Sequence, residues 1–435
     1  MSRNRLDYHL MPVSGWMNDP NGLCRYQGLY HIFFQQDRNS FEGKEKEWGH
    51  YTTADLIHYD YLGAAVKPDS EADCDGAYSG CGVVDGDTLR LFYTGNVKEA
   101  GDYDYIHAGR QHNLIEVSSH DGIHFNDKHC LMRNSDYPDD MSCHVRDPKI
   151  TKIKDSWEML LGARDSSDHG CLLRYVSKDL EHWTYTERYY PDQDQPFMLE
   201  CPNRINEDIL LACPQGNRRD PHWDNIYDAG FYTLKDGKLT DYQRADYGFD
   251  YYAPSILEDG DRKILFGWMG MPDAEYINPT RTEGWQHAMT LPRDITVKHG
   301  RVYQTVIPEL KKLERQTVTM TQSSGTFAKT SKLDMKINGK FELDLNKISL
   351  QYDGSTLMMD LSYCGCGRGQ RRITNLDLQK LCIYVDHSCI ELFINDGEYT
   401  MTSRFYDDEN QLAVHSQGIK QIQVTELGAF TVRIR

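Results

Sequence analysis

Five short strand-like runs recur between residues 29 and 270, and they limit the fold more than any other feature of the chain. Leu29–Gln35, Thr88–Gly95, Ser156–Arg164, Glu207–Pro214 and Arg262–Gly270 are each rich in β-branched, aromatic or leucine residues. Such residues suit a pleated, half-buried surface. Turn signals precede most of them, such as Asp85-Gly86-Asp87 and Asp259-Gly260-Asp261. A second echo follows the first three runs. Ala54–Tyr59, Ser119–Phe125 and Ser177–Trp183 each read as an Asp-centred corner ending in His-aromatic. Helical patterns are scarce before residue 300. Self-similarity at this period, without helices between the units, predicts an all-β five-bladed β-propeller over residues 1–303. The competing reading is a β-sandwich with chance echoes.

Beyond residue 303 the pattern changes. Val306–Glu314 has apolar residues at helical spacing and falls in a connector, 304–317. Residues 318–435 alternate in the manner of strands. Leu381–Phe393, the turn Asn395-Asp396-Gly397 and Tyr399–Phe405 read as a hairpin of a C-terminal β-sandwich.

Ahead of each strand run stands a conspicuous motif: Trp16–Gly22, then Tyr78-Ser79-Gly80, Arg146-Asp147-Pro148, Glu200-Cys201-Pro202 and Asp250–Pro254. If the runs belong to blades, the motifs occupy the start of each innermost strand, at one end of a central channel. Asp19, Asp147 and Glu200 then converge although they are far apart in sequence. Convergent carboxylates repel, so at least one should hold its proton more tightly. That arrangement suits a glycosidase, where one carboxylate attacks and another donates a proton to the departing oxygen.

At these residues the chain resembles glycoside hydrolase family 32, the invertase and fructanase family. The resemblance runs through Trp16–Gly22, Tyr30–Gln35, Trp48-Gly49-His50 and each motif above, then Gly267–Gly270, Leu291-Pro292-Arg293 and the Asp386–Glu398 segment. It implies a β-fructofuranosidase that retains anomeric configuration and needs no metal or cofactor. It further implies Asp19 as nucleophile, Glu200 as acid/base with its pKa kept high by its neighbours, and Asp147 as transition-state stabiliser aided by Arg146. Substrate contacts are implied for Asn18, Gln35, Trp48, Tyr78 and Ser79, with Trp48 packing a face on the furanose and Asp250 at the pocket rim.

Composition narrows the partners. The chain has 435 residues and a net charge of −18, which disfavours phosphate backbones and makes nucleic acid a poor partner. No apolar run approaches the length of a membrane helix, and no signal peptide is apparent. The 12 cysteines are scattered, which reads as a reduced, cytoplasmic protein. Expected partners are small sugars, with a homodimer left open. The rival substrate is sucrose-6-phosphate. Its phosphate would want a basic cluster, for which Arg110, Arg164, Arg218 and Arg219 are candidates on loops. More remote rivals are a fructosyltransferase and a non-catalytic fructan-binding propeller.

Overall fold

The computed structural model describes residues 3–125, 127–216, 220 and 222–435. Among them, regular structure is β apart from three 3-10 segments, Asn134–Asp136, Pro279–Glu283 and Pro308–Leu313. The N-terminal strands form antiparallel meanders in chain order. The first runs through Gly15–Tyr26, Leu29–Asp37, Glu47–Thr53 and His58–Val66. The second has Ala77–Asp85, Thr88–Lys98, Arg110–Ser119 and His129–Met132. Met141–Ile153, Ser156–Asp165, Gly170–Ser177 and Thr184–Pro191 make the third. The fourth comprises Met198–Arg204, Ile209–Gln215, Gly230–Lys235 and Lys238–Arg244. Tyr252–Asp259, Arg262–Met269, Arg293–Lys298 and Arg301–Val306 make the last. The recurring runs of the sequence are the second strands of these meanders. The tight turns before them use residues that accept positive φ, such as Gly86 (φ 62) and Gly260 (φ 61).

The leading strands of the meanders touch one another in cyclic order, and the last touches the first. This is the propeller-like arrangement. The ring is sealed where Gly15 and Trp16 pair in parallel with Trp285 and Gln286. Apolar side chains fill the space between adjacent meanders, with Phe33, Trp48, Leu91 and Tyr93 in one such layer.

The C-terminal part is a sandwich of two six-stranded sheets. Phe341–Leu345 shows its logic: Phe341, Leu343 and Leu345 are buried, while Glu342 and Asp344 face out. Its core is continuous and mostly aliphatic, with Phe341, Tyr352 and Phe405 among its aromatic members.

The seam between the two parts is charged and buried. Arg368 grips Asp250 through two bonds of 2.6 Å. Arg293 donates to Glu391 at 2.6 Å and to Asp246 at 3.2 Å. His9, on the N-terminal segment, lies 2.7 Å from Asp386 and 2.9 Å from Glu391. Buried ions hold only when every partner is supplied, and here the partners come from both sides. The chain finally returns to the propeller, where Thr431–Ile434 adds a parallel strand beside His58–Tyr61.

Candidate active site

A bulge recurs at the head of each leading strand. Register is interrupted between Met17 and Pro20, Ala77 and Gly80, Arg146 and Lys149, Glu200 and Asn203, and Tyr252 and Ser255. A bulge leaves an unpaired residue and re-aims the side chains beside it. Proline suits it, having no N–H to lose. The residues preceding three of these prolines, Asp147, Cys201 and Ala253, have φ of 62, 48 and 44. That left-handed backbone is sparsely populated by non-glycine residues and costs on the order of 1–3 kcal/mol per residue.

The bulges align the motifs residue by residue. Asn18, Tyr78, Arg146, Glu200 and Tyr252 form one tier around the axis. Asp19, Ser79, Asp147, Cys201 and Ala253 form the next.

The second tier joins the aspartates. Asn18 Nδ2 donates to Asp19 Oδ1 at 2.9 Å and to Gln35 Oε1 at 2.7 Å. Gln35 Nε2 donates to Ser79 Oγ at 2.6 Å, and Ser79 donates to Asp19 Oδ2, closing a ring. Lys46 Nζ reaches Asn18 Oδ1 at 3.3 Å. Cys201 N donates to Asp147 Oδ2 at 3.0 Å. The Cys201 thiol lies 3.7 Å from Asp147 Oδ2 and 3.9 Å from Asp19 Oδ2.

The first tier centres on Glu200. Arg146 Nε and Nη2 both donate to Glu200 Oε1, at 2.9 and 2.6 Å. Tyr252 Oη donates to Oε2 at 2.6 Å, and Gln215 Nε2 donates to the same oxygen. On its far side Arg146 Nη1 bonds His144 Nδ1 at 2.7 Å.

These contacts divide the carboxylates electrostatically. Burial raises Asp147 to about 7, opposed by Arg146 and assisted by the charges of Glu200 and Asp19. Burial also raises Asp19, against Lys46 and the donors Ser79 and Asn18. Glu200 goes the other way. Burial pushes it up, but the Arg146 charge and the Tyr252, Arg146 and Gln215 hydrogen bonds prevail and hold it below the usual glutamate value. The expectation that neighbouring carboxylates keep the Glu200 pKa high is therefore not met. The guanidinium outweighs them and favours the Glu200 anion, while burial favours the protonated form of Asp147.

Asn18, Asp19, Gln35, Ser79, Arg146, Asp147 and Glu200 thus meet, and Tyr78 stands beside them with the Lys46 ammonium 5.6 Å from its ring centroid. Two expected contacts are not found. Trp48 is wholly buried; its indole donates to the Tyr78 carbonyl at 2.9 Å and packs on Phe33 and Tyr93. It supports the wall from behind and shows no face to a sugar. Asp250 is not at the rim, because Arg368 and the Arg404 amide hold it in the buried seam. Its place at the site belongs to Tyr252. The sequence missed Tyr252, Gln215, Lys46 and His144. Tyr252 was recoverable, since it precedes Ala253-Pro254 as Glu200 precedes Cys201-Pro202. Of the basic candidates, Arg164 is buried within a strand, not on a loop. Arg110 begins a strand at the mouth, and Arg218 and Arg219 lie outside the described residues.

Comparison with known proteins matches this geometry to a family. Residues 9–306 match the model of the glycosyl hydrolases family 32 N-terminal domain, and residues 308–427 match that of the family 32 C-terminal domain. The chain belongs to glycoside hydrolase family 32. It is a glycosidase. A relative, the sucrose-6-phosphate hydrolase of Vibrio alginolyticus, is 34% identical over 98% of this chain and 90% of its own length. The raffinose invertase of Escherichia coli is 32% identical over 94% of this chain and 91% of its own length. Among solved structures, a sucrose-6-phosphate hydrolase from Lactobacillus gasseri superposes with a TM-score of 0.89 at 28% identity, covering 99% of this chain and 94% of its own. A family 32 β-fructofuranosidase from Bombyx mori, solved as a mutant in complex with sucrose, gives 0.85 at 26% identity, covering 99% and 95%.

Proposed function

We propose that the chain is a retaining β-fructofuranosidase that releases terminal non-reducing fructosyl units from sucrose and short fructo-oligosaccharides. One observation carries this reading: Cys201, the residue after Glu200, touches both Asp19 and Asp147, so the three carboxylates stand together. Asp19 attacks the anomeric carbon as the bond to the leaving oxygen breaks, and Glu200 gives that oxygen its proton. The product is a fructosyl ester of Asp19. Glu200 then takes a proton from water, which attacks the same carbon and frees Asp19.

Before substrate binds, Asp147 is the favoured holder of the proton and Glu200 the favoured anion, so the proton must transfer before Glu200 can act. Fructose hydroxyls donating to Asp147 favour its anion. They also draw on Arg146, which weakens its hold on Glu200. Both effects move the proton to the acid. Binding thus arms the site, and Asp147 with Arg146 then grips the sugar as positive charge develops on its ring.

A second reading, in which the leaving glucose carries a phosphate, is supported by the relatives named as sucrose-6-phosphate hydrolases. The twelve cysteines are all unpaired, which supports a reducing compartment such as the cytoplasm.

The test compares Asp19→Ala and Glu200→Ala on sucrose and on fructosyl fluoride, whose leaving group needs no proton. Asp19→Ala should abolish turnover of both. Glu200→Ala should lose about 10²–10⁴-fold on sucrose and far less on the fluoride. Near-normal sucrose hydrolysis by Glu200→Ala would sink the assignment.

A further inference from the structure

Lys46 closes the loop 38–46, which joins the second and third strands of the first meander. Three contacts fix that loop beside the active site. Asp37, buried at its start, accepts from the amides of Asn39, Ser40, Lys44 and Glu45 and from the Ser40 hydroxyl, at 2.6–3.1 Å. Gly43 (φ 60) lies so close to the Trp16 indole that a Cβ there would stand 2.8 Å from Nε1. The Lys46 carbonyl accepts from the Ala77 amide at 2.8 Å, which ties the loop to the second meander. The side chain held out by this frame is a cation that forms no ion pair among the described residues. That is unexpected in a chain with 66 acidic residues against 48 basic ones. Its neighbour Glu47 is taken by Arg38 at 2.5 Å. Lys46 Nζ instead reaches Asn18 Oδ1 at 3.3 Å.

Asn18 carries that charge towards Asp19. Its Oδ1 also accepts from Trp16 Nε1 at 2.7 Å. Its Nδ2 gives both hydrogens away, to Asp19 Oδ1 and Gln35 Oε1. The amide is then fully used, and two donors on its oxygen leave it one way to face. Turned over, it would set an NH2 against the ammonium and the indole N–H, and its oxygen against the Asp19 carboxylate. Lys46 thus fixes which atom Asn18 offers to Asp19 and polarises that N–H bond towards the carboxylate.

The titratable groups around Asp19 come from several strands. They are Asp147, Glu200, Cys201 next to it, and Cys213 on the strand behind. Arg146 is engaged by Glu200. Lys46 is the cation left for Asp19. Burial raises Asp19, and the Lys46 charge leads the influences opposing it, ahead of the Ser79 and Asn18 hydrogen bonds.

We propose that Lys46 is the counter-charge of the nucleophile, a positioning residue that acts through Asn18 to hold Asp19 ionised and aimed. Attack needs the anion, so loss of the charge should be felt first where protons compete for Asp19. The later step gains too. When water attacks the anomeric carbon, the bond to Asp19 breaks with its electron pair, and a cation behind Asn18 stabilises the departing carboxylate. This inference rests on the reading of Asp19 as nucleophile.

The experiment follows kcat/KM against pH for sucrose and fructosyl fluoride with the wild type, Lys46→Gln, Lys46→Met and Lys46→Arg. Gln keeps a donor for Asn18 without the charge, Met keeps neither, and Arg keeps both. In Lys46→Gln the acid limb, where Asp19 takes up a proton, should move to higher pH by about one unit on both substrates. Lys46→Met should move it at least as far. The alkaline limb on sucrose belongs to Asp147 and Glu200 and should stay in place. Lys46→Arg should return the acid limb to its wild-type position. An unmoved acid limb in both uncharged variants overturns the counter-charge. A uniform loss at every pH also overturns it, since that marks a purely structural support. So does an equal shift in Lys46→Arg, which would trace the effect to lost packing. Asp19→Ala decides the nucleophile separately: if that variant is inactive and the limb does not move, this inference fails alone, whereas an active Asp19→Ala removes both.

Discussion

Arg146 places two of its nitrogens on a single oxygen of Glu200, at 2.9 and 2.6 Å. The other oxygen is left to Tyr252 and Gln215. The carboxylate is thus saturated with donors before any substrate arrives, and this fixes how the free site titrates.

The free site keeps one proton on the Asp147–Glu200 pair below about 7 and loses it above. Proton donation to the leaving oxygen needs that proton. On sucrose, log kcat/KM should fall with unit slope above an apparent pKa near this value. With fructosyl fluoride this alkaline limb should weaken or vanish. Identical alkaline limbs for the two substrates would refute the shared-proton account.

Tyr252→Phe removes one charge-assisted hydrogen bond from Glu200, worth about 1.5–3 kcal/mol to the anion. Without it Glu200 competes better for the shared proton, but it is less well aimed. We expect kcat/KM on sucrose to fall about tenfold and the alkaline limb to move to higher pH. A shift to lower pH would contradict the direction of this contact.

Arg368→Met strips the counter-charge from Asp250 inside the interdomain seam. An unpaired buried carboxylate costs about 3–5 kcal/mol. Thermal unfolding should occur at markedly lower temperature, while kcat on the folded fraction stays within about threefold. A variant as stable as the wild type would show that Asp250 finds another partner.

His9 is raised well above its ordinary value. Burial lowers it, but Cys389, Asp386 and Glu391 outweigh burial. A raised folded pKa stabilises fully below the unfolded value near 6.5, and that stabilisation is lost as pH rises towards the folded value. The folded chain keeps a proton that the unfolded chain gives up, so wild-type stability should decline by about 1.4 kcal/mol per pH unit above 6.5 from this group. His9→Gln lacks this slope. Denaturant titrations at pH 6 and pH 9 should show a wide gap between the two proteins at the lower pH and a narrower one at the higher.

The repeat in the sequence was enough to bring Asp19, Asp147 and Glu200 together, because equal register in equal units puts side chains at equal depth. The family resemblance misled at Asp250, which lies two residues ahead of the aligned position, and left Tyr252 unnoticed. Gln215 and Lys46 were invisible because they reach the site across strands, and no motif marks them. The protonation of Glu200 was misjudged for a related reason. Carboxylates can be counted along a chain, but the two-pronged approach of Arg146 depends on a bulge that only the folded backbone displays. Trp48 was assigned by resemblance, and a matching motif does not say which face of a wall a ring occupies.

The final strand, Thr431–Ile434, lies against His58–Tyr61 of the first meander. The chain therefore ends beside the unit with which it began, and the sandwich is spliced into the propeller at both its entry and its exit. Cutting the gene after residue 307 would not yield a minimal catalytic fragment. It would strip the first meander of an edge strand and leave Asp246, Asp250 and Arg293 without their sandwich partners. The two parts therefore stand or fall as one folding unit, joined by the shared edge strand and the charged seam.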